Sequence, residues 1–470
     1  MEGQQAIVYQ LDLFSEQSQQ AIPYSEKREG VSGSQARKGT QIKGEGQQGR
    51  ALAGSLMAVI CSQQNIGQAY KRVKQNKGVA GIDQMPTGEF APWFSKHGDV
   101  LIEQLLKGDY TPESVNQVEI PKHSGGKRKL GIPTVTDRII QQAISQVLSP
   151  IYEPMFSDHS YGFRPKRNAH QALRRAGDYV KEGRIWVVDM DLKSFFDEVN
   201  HDKLMYKLSR TIPDKVLLSL IRKYLRSGIL IGGLRQQREK GTPQGSPLSP
   251  LLSNIVLDDL DKELEKRGHS FVRYADDFSI FVRSQKASER VKGSIGRFIT
   301  ETLKLKINED KSVVCECHQT KLLGYTIYRD GNLGVARESL KRLKFKIRGI
   351  TKRNRGRSFE MIISELRPVL RGWLQYFRLA KSNRIMQNLD AWIRRKLRCY
   401  RIKQCKKVIT LQRFLKRSGV ATWHSWILAL SGKGHWRKSG CPQAHQAMGL
   451  EWFEAQGLYN LSLNHKLLYN

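Results

Sequence analysis

Apolar residues recur along this chain with two different periods. Between Phe271 and Val282 the order F-V-R-Y-A-D-D-F-S-I-F-V places apolar, aromatic and β-branched residues on both sides of Asp276–Asp277, with no Gly or Pro. That pattern predicts two strands meeting at a tight turn. Asn116–Asp137 predicts two strand-like pieces around a Gly-Gly turn, and Ile185–Asp197 opens on an apolar run expected of a buried strand. Leu322–Tyr328 suggests one more strand. Helical spacing holds around Gln68–Lys77 and from about Pro250 to Lys266. It returns in three later sets: Leu340, Leu343, Ile347 and Ile350; Phe359, Ile362, Ile363, Leu366, Leu370, Trp373, Leu374 and Phe377; and Ile385, Leu389, Trp392, Ile393 and Leu397. Gly78–Asp83 reads as a turn and Gly241–Pro250 as a rigid loop. The strands cluster before residue 330 and the late helices follow, which predicts an α+β chain. Residues 1–50, rich in Gln, Gly and Ser, read as a flexible polar tail, although Ile7–Phe14 could dock.

Charge changes the picture most. At 470 residues the chain has room for two or three domains, and its net charge is +35. From Arg337 to Arg417 there are 26 Lys or Arg against 4 Asp or Glu, so three amphipathic helices carry a cationic face. Such a field attracts a polyanion, and nucleic acid is the expected partner. No apolar run of 18 residues exists and the first residues lack a leader pattern, so a membrane span or export is not expected. The six cysteines stand without a C-x-x-C pair and read as reduced thiols; Cys315–His318 fits alternating residues of a strand end better than a metal site. The acidic cluster Asp258, Asp259 and Asp261 is expected on a solvated helix face. Residues 418–470 add Trp423, Trp426, Trp436 and Trp452 with a basic G-K-G-H-W-R-K stretch, which suggests a small second binding module.

The candidate chemistry rests on carboxylates. An isolated D-D pair is usually a solvent-exposed turn, because adjacent like charges repel. Asp189 and Asp191, however, sit two apart on a buried strand, where carboxylates need a partner. Divalent cations would serve both pairs, as in sites where two ions roughly 3.5–4 Å apart clamp a transferring phosphoryl group. Spacing alone does not choose between Asp189 and Asp191. Lys122, Lys127, Arg128 and Lys129 line the predicted basic hairpin, suited to a triphosphate or a nucleic-acid backbone. His159–His170 interleaves aromatic and basic residues, among them Arg164, Lys166 and Arg167, as backbone pairing plus base stacking requires. Gln244 offers a donor and an acceptor to a base edge.

In this order the motifs resemble those of the reverse transcriptase/maturase proteins encoded in bacterial group II introns. Y-A-D-D at Tyr274–Asp277, V-D-M-D-L-K-S-F-F-D, I-P-K…R-K-L-G-I-P, Y-G-F-R-P, T-P-Q-G-S-P-L-S-P and L-G-Y stand in the family's sequence, over roughly residues 55–415. The resemblance implies a right-hand polymerase: fingers and palm over 51–330, a helical thumb or maturase (X) domain over 335–415, and a DNA-binding region over 416–470. It implies metal ligands at Asp191, Leu192, Asp276 and Asp277, with Asp191 preferred over Asp189, and Mg²⁺ (or Mn²⁺) as cofactor. Phe196 would be the steric gate against a ribose 2′-OH, so that dNTPs are the substrates. Lys122 and Arg128 would touch the triphosphate and Gln244 the nascent base pair. Tyr274 would face the substrate, and Leu323, Gly324 and Tyr325 would grip the primer. Lys341, Arg371, Arg394, Arg395 and Lys396 join Arg164, Lys166 and Arg167 as expected nucleic-acid contacts.

Function follows from the same resemblance: RNA-directed DNA synthesis from a DNA primer, plus binding of the group II intron RNA to promote splicing and mobility. Many relatives end in an H-N-H endonuclease with paired cysteines. No such pattern stands in this sequence, so an endonuclease-less, group IIC-like type is expected, located in the cytoplasm with nucleic acid. The rivals are a reverse transcriptase recruited to phage defence or spacer acquisition, and a pure RNA-binding splicing cofactor. Phe196 at the gate position disfavours an RNA-dependent RNA polymerase.

Overall fold

A computed structural model of the chain describes residues 55–121, 127–231, 234–236 and 239–469. These divide into two compact units, one running to Tyr179 and over Gly183–Cys315, the other formed by Val180–Glu182 and the chain from Glu316. Among the described residues no helix is long and apolar enough to cross a membrane.

The first unit holds two four-stranded sheets. In one, β1 (Val115–Pro121) runs antiparallel to β2 (Lys127–Ile132), from Asn116 opposite Ile132 to Pro121 opposite Lys127. The predicted basic hairpin is therefore present, although its tip at 122–126, including Lys122, lies outside the described residues. Two short strands, β4 (Ile229–Ile231) and β5 (Leu234–Gln236), extend this sheet on the β1 side. The second sheet has the order β6-β7-β3-β8, with β3 Trp186–Met190, β6 Ser270–Tyr274, β7 Asp277–Val282 and β8 Val313–Glu316. Strand β7 lies inside it, antiparallel to both β6 and β3. Its Phe278, Ser279, Ile280 and Phe281 are all buried, which is why the sequence shows an apolar run broken only by Ser279 rather than an alternation. Each such aromatic or aliphatic side chain contributes about 1.5–3 kcal/mol on burial.

The helix Val135–Tyr152 starts where Thr134 accepts the Asp137 N–H at 3.1 Å, and it is buried on most sides. The helix Ser249–Lys266 packs against β6 and against the helix His201–Ser209. Here the expected solvated acidic face is not found. Asp258 and Asp261 are 2% and 0% exposed, and only Asp259 faces out. The chain places cations opposite them: Lys262 and Lys207 at Asp258, and Arg273 at Asp261.

The second unit opens on a two-stranded hairpin, β9 (Tyr325–Ile327) with β10 (Leu333–Val335). Helices follow at Arg337–Ile350, Phe359–Tyr376 and Asn383–Gln404, the three that the apolar spacing predicts. Ser358 caps the second by accepting the Met361 N–H at 3.2 Å. Its stripe Phe359, Ile362, Ile363, Leu366, Leu370 and Leu374 is buried. Shorter helices complete the unit, the last being Leu461–Tyr469. That helix is held by Asp390, whose carboxylate accepts the N–H groups of Leu461 and Ser462 at 2.9 and 2.8 Å.

Candidate active site

The β6–β7 hairpin closes with Tyr274 opposite Asp277, so its turn is Ala275–Asp276 and Asp277 already belongs to the second strand. Ala275 is left-handed at φ +59°, a conformation costly for a residue with a Cβ. A buried frame holds it there. Arg273, 0% exposed, donates from Nη1 to the Ala275 carbonyl at 2.9 Å and to Asn254 Oδ1 at 2.9 Å. Its Nε and Nη2 grip the two oxygens of Asp261 at 2.7 and 2.5 Å. Asn254 in turn donates to the Gly162 carbonyl at 2.9 Å. Gly162 lies so close beneath the turn that a Cβ there would collide with the Ala275 backbone nitrogen. The Y-G-F-R-P stretch is thus a brace under the turn: the Tyr161 N–H donates to the Arg273 carbonyl, and the Arg273 N–H to that of His159, both at 2.9 Å. Nothing in the local pattern announced this, although an arginine inside an apolar strand was the available signal.

Four carboxylates converge on the tip. Asp189, in β3 opposite Ser279, accepts the Ser279 hydroxyl at 2.9 Å. Asp191, just past β3, accepts Asn308 Nδ2 at 2.9 Å and has Lys311 Nζ at 3.4 Å. The same loop fixes its backbone, because the Asn308 N–H donates to the Asp191 carbonyl at 2.9 Å and the Asp191 N–H to Ser312 Oγ at 3.2 Å. Loss of hydration first, and then the charges of Asp276, Asp189 and Asp191, push the Asp277 carboxyl up to about 7, with Lys311 opposing. Asp277 is nevertheless a surface residue of the hairpin, so water reaches it and screens part of that repulsion. The donor set is all hard oxygen and carries excess negative charge, which fits a hard divalent cation. Among the described residues no group of three or more His, Cys, Asp or Glu forms a ready-made cage. Mg²⁺ sites for phosphoryl transfer need none, since one or two carboxylates, waters and substrate phosphates complete the shell. The side chain of Leu192 is buried, which leaves only its backbone carbonyl for such a role.

The other expected contacts divide into those left open and those enclosed. Phe196, half-buried in the short helix Phe195–Glu198, packs edge-on against Phe195 at 5.3 Å between ring centroids. Gln244 is half-buried, and its side-chain amide makes no hydrogen bond among the described residues. Arg128 lies on β2, but its side chain is outside the described ones. Tyr274 is 3% exposed, so its ring belongs to the core rather than to an open substrate surface.

Arg164 is corrected in the same way. It is 6% exposed and spent on Glu153 at 2.8 Å and on the carbonyls of Ser157 and Ser160, out of reach of a phosphate. Lys166 is exposed, and Arg167 pairs with Asp158. In the second unit, Tyr325 is 0% exposed and donates its hydroxyl to the Tyr376 carbonyl, so it supports the fold instead of gripping a primer. Leu323 and Gly324 adopt φ +50° and +81°, with the Leu323 carbonyl accepting Tyr376 OH at 2.8 Å and the Gly324 carbonyl accepting Ser339 Oγ at 2.9 Å.

Lys341 and Arg371 are exposed cations. Arg394, Arg395 and Lys396 are half-buried in a basic, aromatic cluster. Arg395 stacks on Trp436 at 4.3 Å, and Lys344, Arg348 and Lys396 surround Trp392 at 5.7–5.8 Å. Burial first, and then Arg348, hold the Lys396 ammonium below its ordinary range. Trp423 is 75% exposed, whereas Trp452 packs among Phe359, Phe414 and Phe453. The late tryptophans therefore split between exposed rings and half-buried ones.

Residues 120–327 match the family described as reverse transcriptase (RNA-dependent DNA polymerase), and residues 340–419 match the group II intron, maturase-specific domain. Protein YkfC of Escherichia coli (strain K12) is 32% identical over 300 residues, covering 55% of this chain and 78% of that one. The group II intron-encoded protein LtrA of Lactococcus lactis subsp. cremoris is 32% identical over 328 residues, covering 55% of this chain and 54% of LtrA, so the match spans about half of that relative's length. The 91 kDa protein in the cob intron of Schizosaccharomyces pombe is 40% identical over 173 residues, covering 37% of this chain and 21% of that one. Reverse transcriptases of this kind depend on divalent metal ions, in keeping with the carboxylates at the hairpin tip. With a polymerase domain followed by a maturase-specific domain, the chain belongs to the group II intron-encoded reverse transcriptase family.

Proposed function

We propose that this protein copies RNA into DNA at the β6–β7 hairpin tip and binds group II intron RNA to promote its splicing and mobility. The observation that carries the polymerase reading is the convergence of Asp189, Asp191 and Asp276 on Asp277 within the region matched as a reverse transcriptase. In this reading Asp191, Asp276 and Asp277 would hold Mg²⁺, or Mn²⁺ in its place, together with the Leu192 carbonyl, and the bound metal would supply electrostatic stabilisation of the attacking and leaving oxygens.

The chain's own residues do the rest. The Asn308–Ser312 loop orients Asp191, while the Arg273–Asp261–Asn254 frame holds the turn in place. A primer 3′-OH gives up its proton to water as its oxygen attacks the α-phosphorus of a dNTP, the bond from that phosphorus to the oxygen shared with the β-phosphate breaks, and pyrophosphate leaves. Lys122 and Arg128 balance the triphosphate charge, Phe196 closes the space a ribose 2′-OH would need, and Gln244 meets the new base pair.

The maturase reading places intron RNA on the cations of residues 335–415, namely Lys341, Arg371, Arg394, Arg395 and Lys396. It leaves 416–470 for target DNA. Arg395 and Lys396, stacked on tryptophan with few acidic residues nearby, are suited to phosphates.

Primer extension on an RNA template tests the first role. Asp276→Asn/Asp277→Asn should abolish extension while leaving RNA binding intact, and unimpaired extension would refute the site. RNA recovered with the protein at high salt tests the second. One structured RNA with spliced exons is expected; a heterogeneous pool would instead favour a reverse transcriptase recruited to another task.

A further inference from the structure

The loop Gly241–Pro250 meets the backbone around Phe196 at three points. The Thr242 N–H donates to the Phe196 carbonyl at 2.6 Å, and the Gly241 N–H to the Val199 carbonyl at 2.8 Å. Gly241 lies at φ +89°, and a Cβ there would come within 2.8–2.9 Å of the Phe196 carbonyl oxygen and of Asp197 Cα and O. The third point is His201, 6% exposed, with Nε2 2.7 Å from the Gly241 carbonyl oxygen. A carbonyl only accepts, so the imidazole must carry hydrogen at Nε2 and donate it. On its far side the loop is pinned as well. The Gly131 N–H at the end of β2 donates to the Gln244 carbonyl at 2.7 Å, and Gly245, at φ +111°, leaves no room for a Cβ beside the Gly131 carbonyl.

From this we infer that His201 is a positioning residue for nucleotide selection. Its hydrogen bond fixes the Gly241 carbonyl, and through Gly241 and Thr242 it ties the backbone carrying Phe196 to the backbone carrying Gln244. The ring that bears on the sugar and the amide that bears on the base pair then keep one mutual geometry. A histidine donor suits the place because it is rigid and reaches the carbonyl from the first turn of the helix His201–Ser209. The inference rests on the roles of Phe196 and Gln244 proposed above. It adds a residue that touches neither nucleotide nor metal.

Single-nucleotide insertion on an RNA template with a DNA primer tests it, with kcat and KM measured separately for a dNTP and the matching rNTP. His201→Ala and His201→Asn, which cannot reach the carbonyl, should lower the dNTP-over-rNTP ratio of kcat/KM about tenfold. His201→Gln, whose amide can donate to the same oxygen, should restore most of that ratio. Binding of the template–primer duplex reports whether each variant is folded, and the Asn variant keeps a polar group in the buried position should Ala fail to fold. A ratio within twofold of the parent in the folded variants overturns the inference. So does an equal fall for both nucleotides that Gln does not rescue, which would mark a purely structural role. Phe196→Ala separates the two levels of the argument. If it relaxes sugar selection and the His201 variants do not, only the inference fails; if it changes nothing, the gate reading fails and the inference with it.

Discussion

Asp277 sits where three neighbouring carboxylates and lost hydration raise its proton affinity, and the sign of the consequence is definite. Its carboxyl titrates near 7 in the folded chain against 3.8 for an ordinary aspartate, so between those values the folded state holds the extra proton. Stability from this group is therefore complete below about pH 4 and is lost as pH rises towards 7. Because Asp277 is open to water, screening limits the effect to about 1 kcal/mol. In metal-free buffer at pH 8, Asp277→Asn should melt about 2–4 °C higher than the parent while being inactive. Added Mg²⁺ should raise the parent's Tm and leave that of the variant nearly unmoved. A variant that melts below the parent at pH 8 would refute the crowding of charge. Arg273 carries the opposite kind of load, since it and Asp261 are both 0% exposed. Arg273→Ala leaves a buried carboxylate without its partner and should cost about 3–5 kcal/mol in denaturant unfolding. A cost under about 1 kcal/mol would show that water enters in its place.

At the scale of elements, the β6–β7 hairpin depends on a segment more than 100 residues earlier. Gly162→Ala would drive a methyl group into the Ala275 backbone and shift the turn that bears Asp276 and Asp277. Primer extension should fall about 100-fold or more with the circular dichroism spectrum retained, because small misplacements at a reacting centre are costly. Near-normal extension would mean that the turn has slack. In the second unit, Asp390→Ala removes a carboxylate that caps two N–H groups of the helix Leu461–Tyr469. Destabilisation of about 1–2 kcal/mol is expected, with hydrogen exchange accelerated first in that helix. Much at this scale was legible beforehand. The hairpin, the strand that carries Asp189 and ends just before Asp191, and the three basic helices follow from short-range period and composition. The solvated face expected for Asp258–Asp261 was not legible correctly, because only Lys262 stands on the same helix while Lys207 and Arg273 arrive from other elements.

For the whole molecule the governing quantity is a net charge of +35, with 26 basic against 4 acidic residues between Arg337 and Arg417. RNA affinity should fall steeply with salt, and Arg394→Ala/Lys396→Ala should reduce the slope of log K against log salt by about 2. An unchanged slope would place the contact elsewhere. The sequence by itself determined the charge, the order of the motifs, the carboxylate pairs and the apolar periods. These are properties of residue type and of neighbours a few positions apart. Only the tertiary structure decided which polar groups are spent internally. Arg164 is bound to Glu153 and Tyr325 to Tyr376, so two residues expected as ligand contacts became supports, and Arg273, to which the chain assigned no role, is bound to Asp261 and Ala275. The physical reason is that burial of a polar group is tolerated only with a partner, and its partner is chosen by what the fold places opposite it.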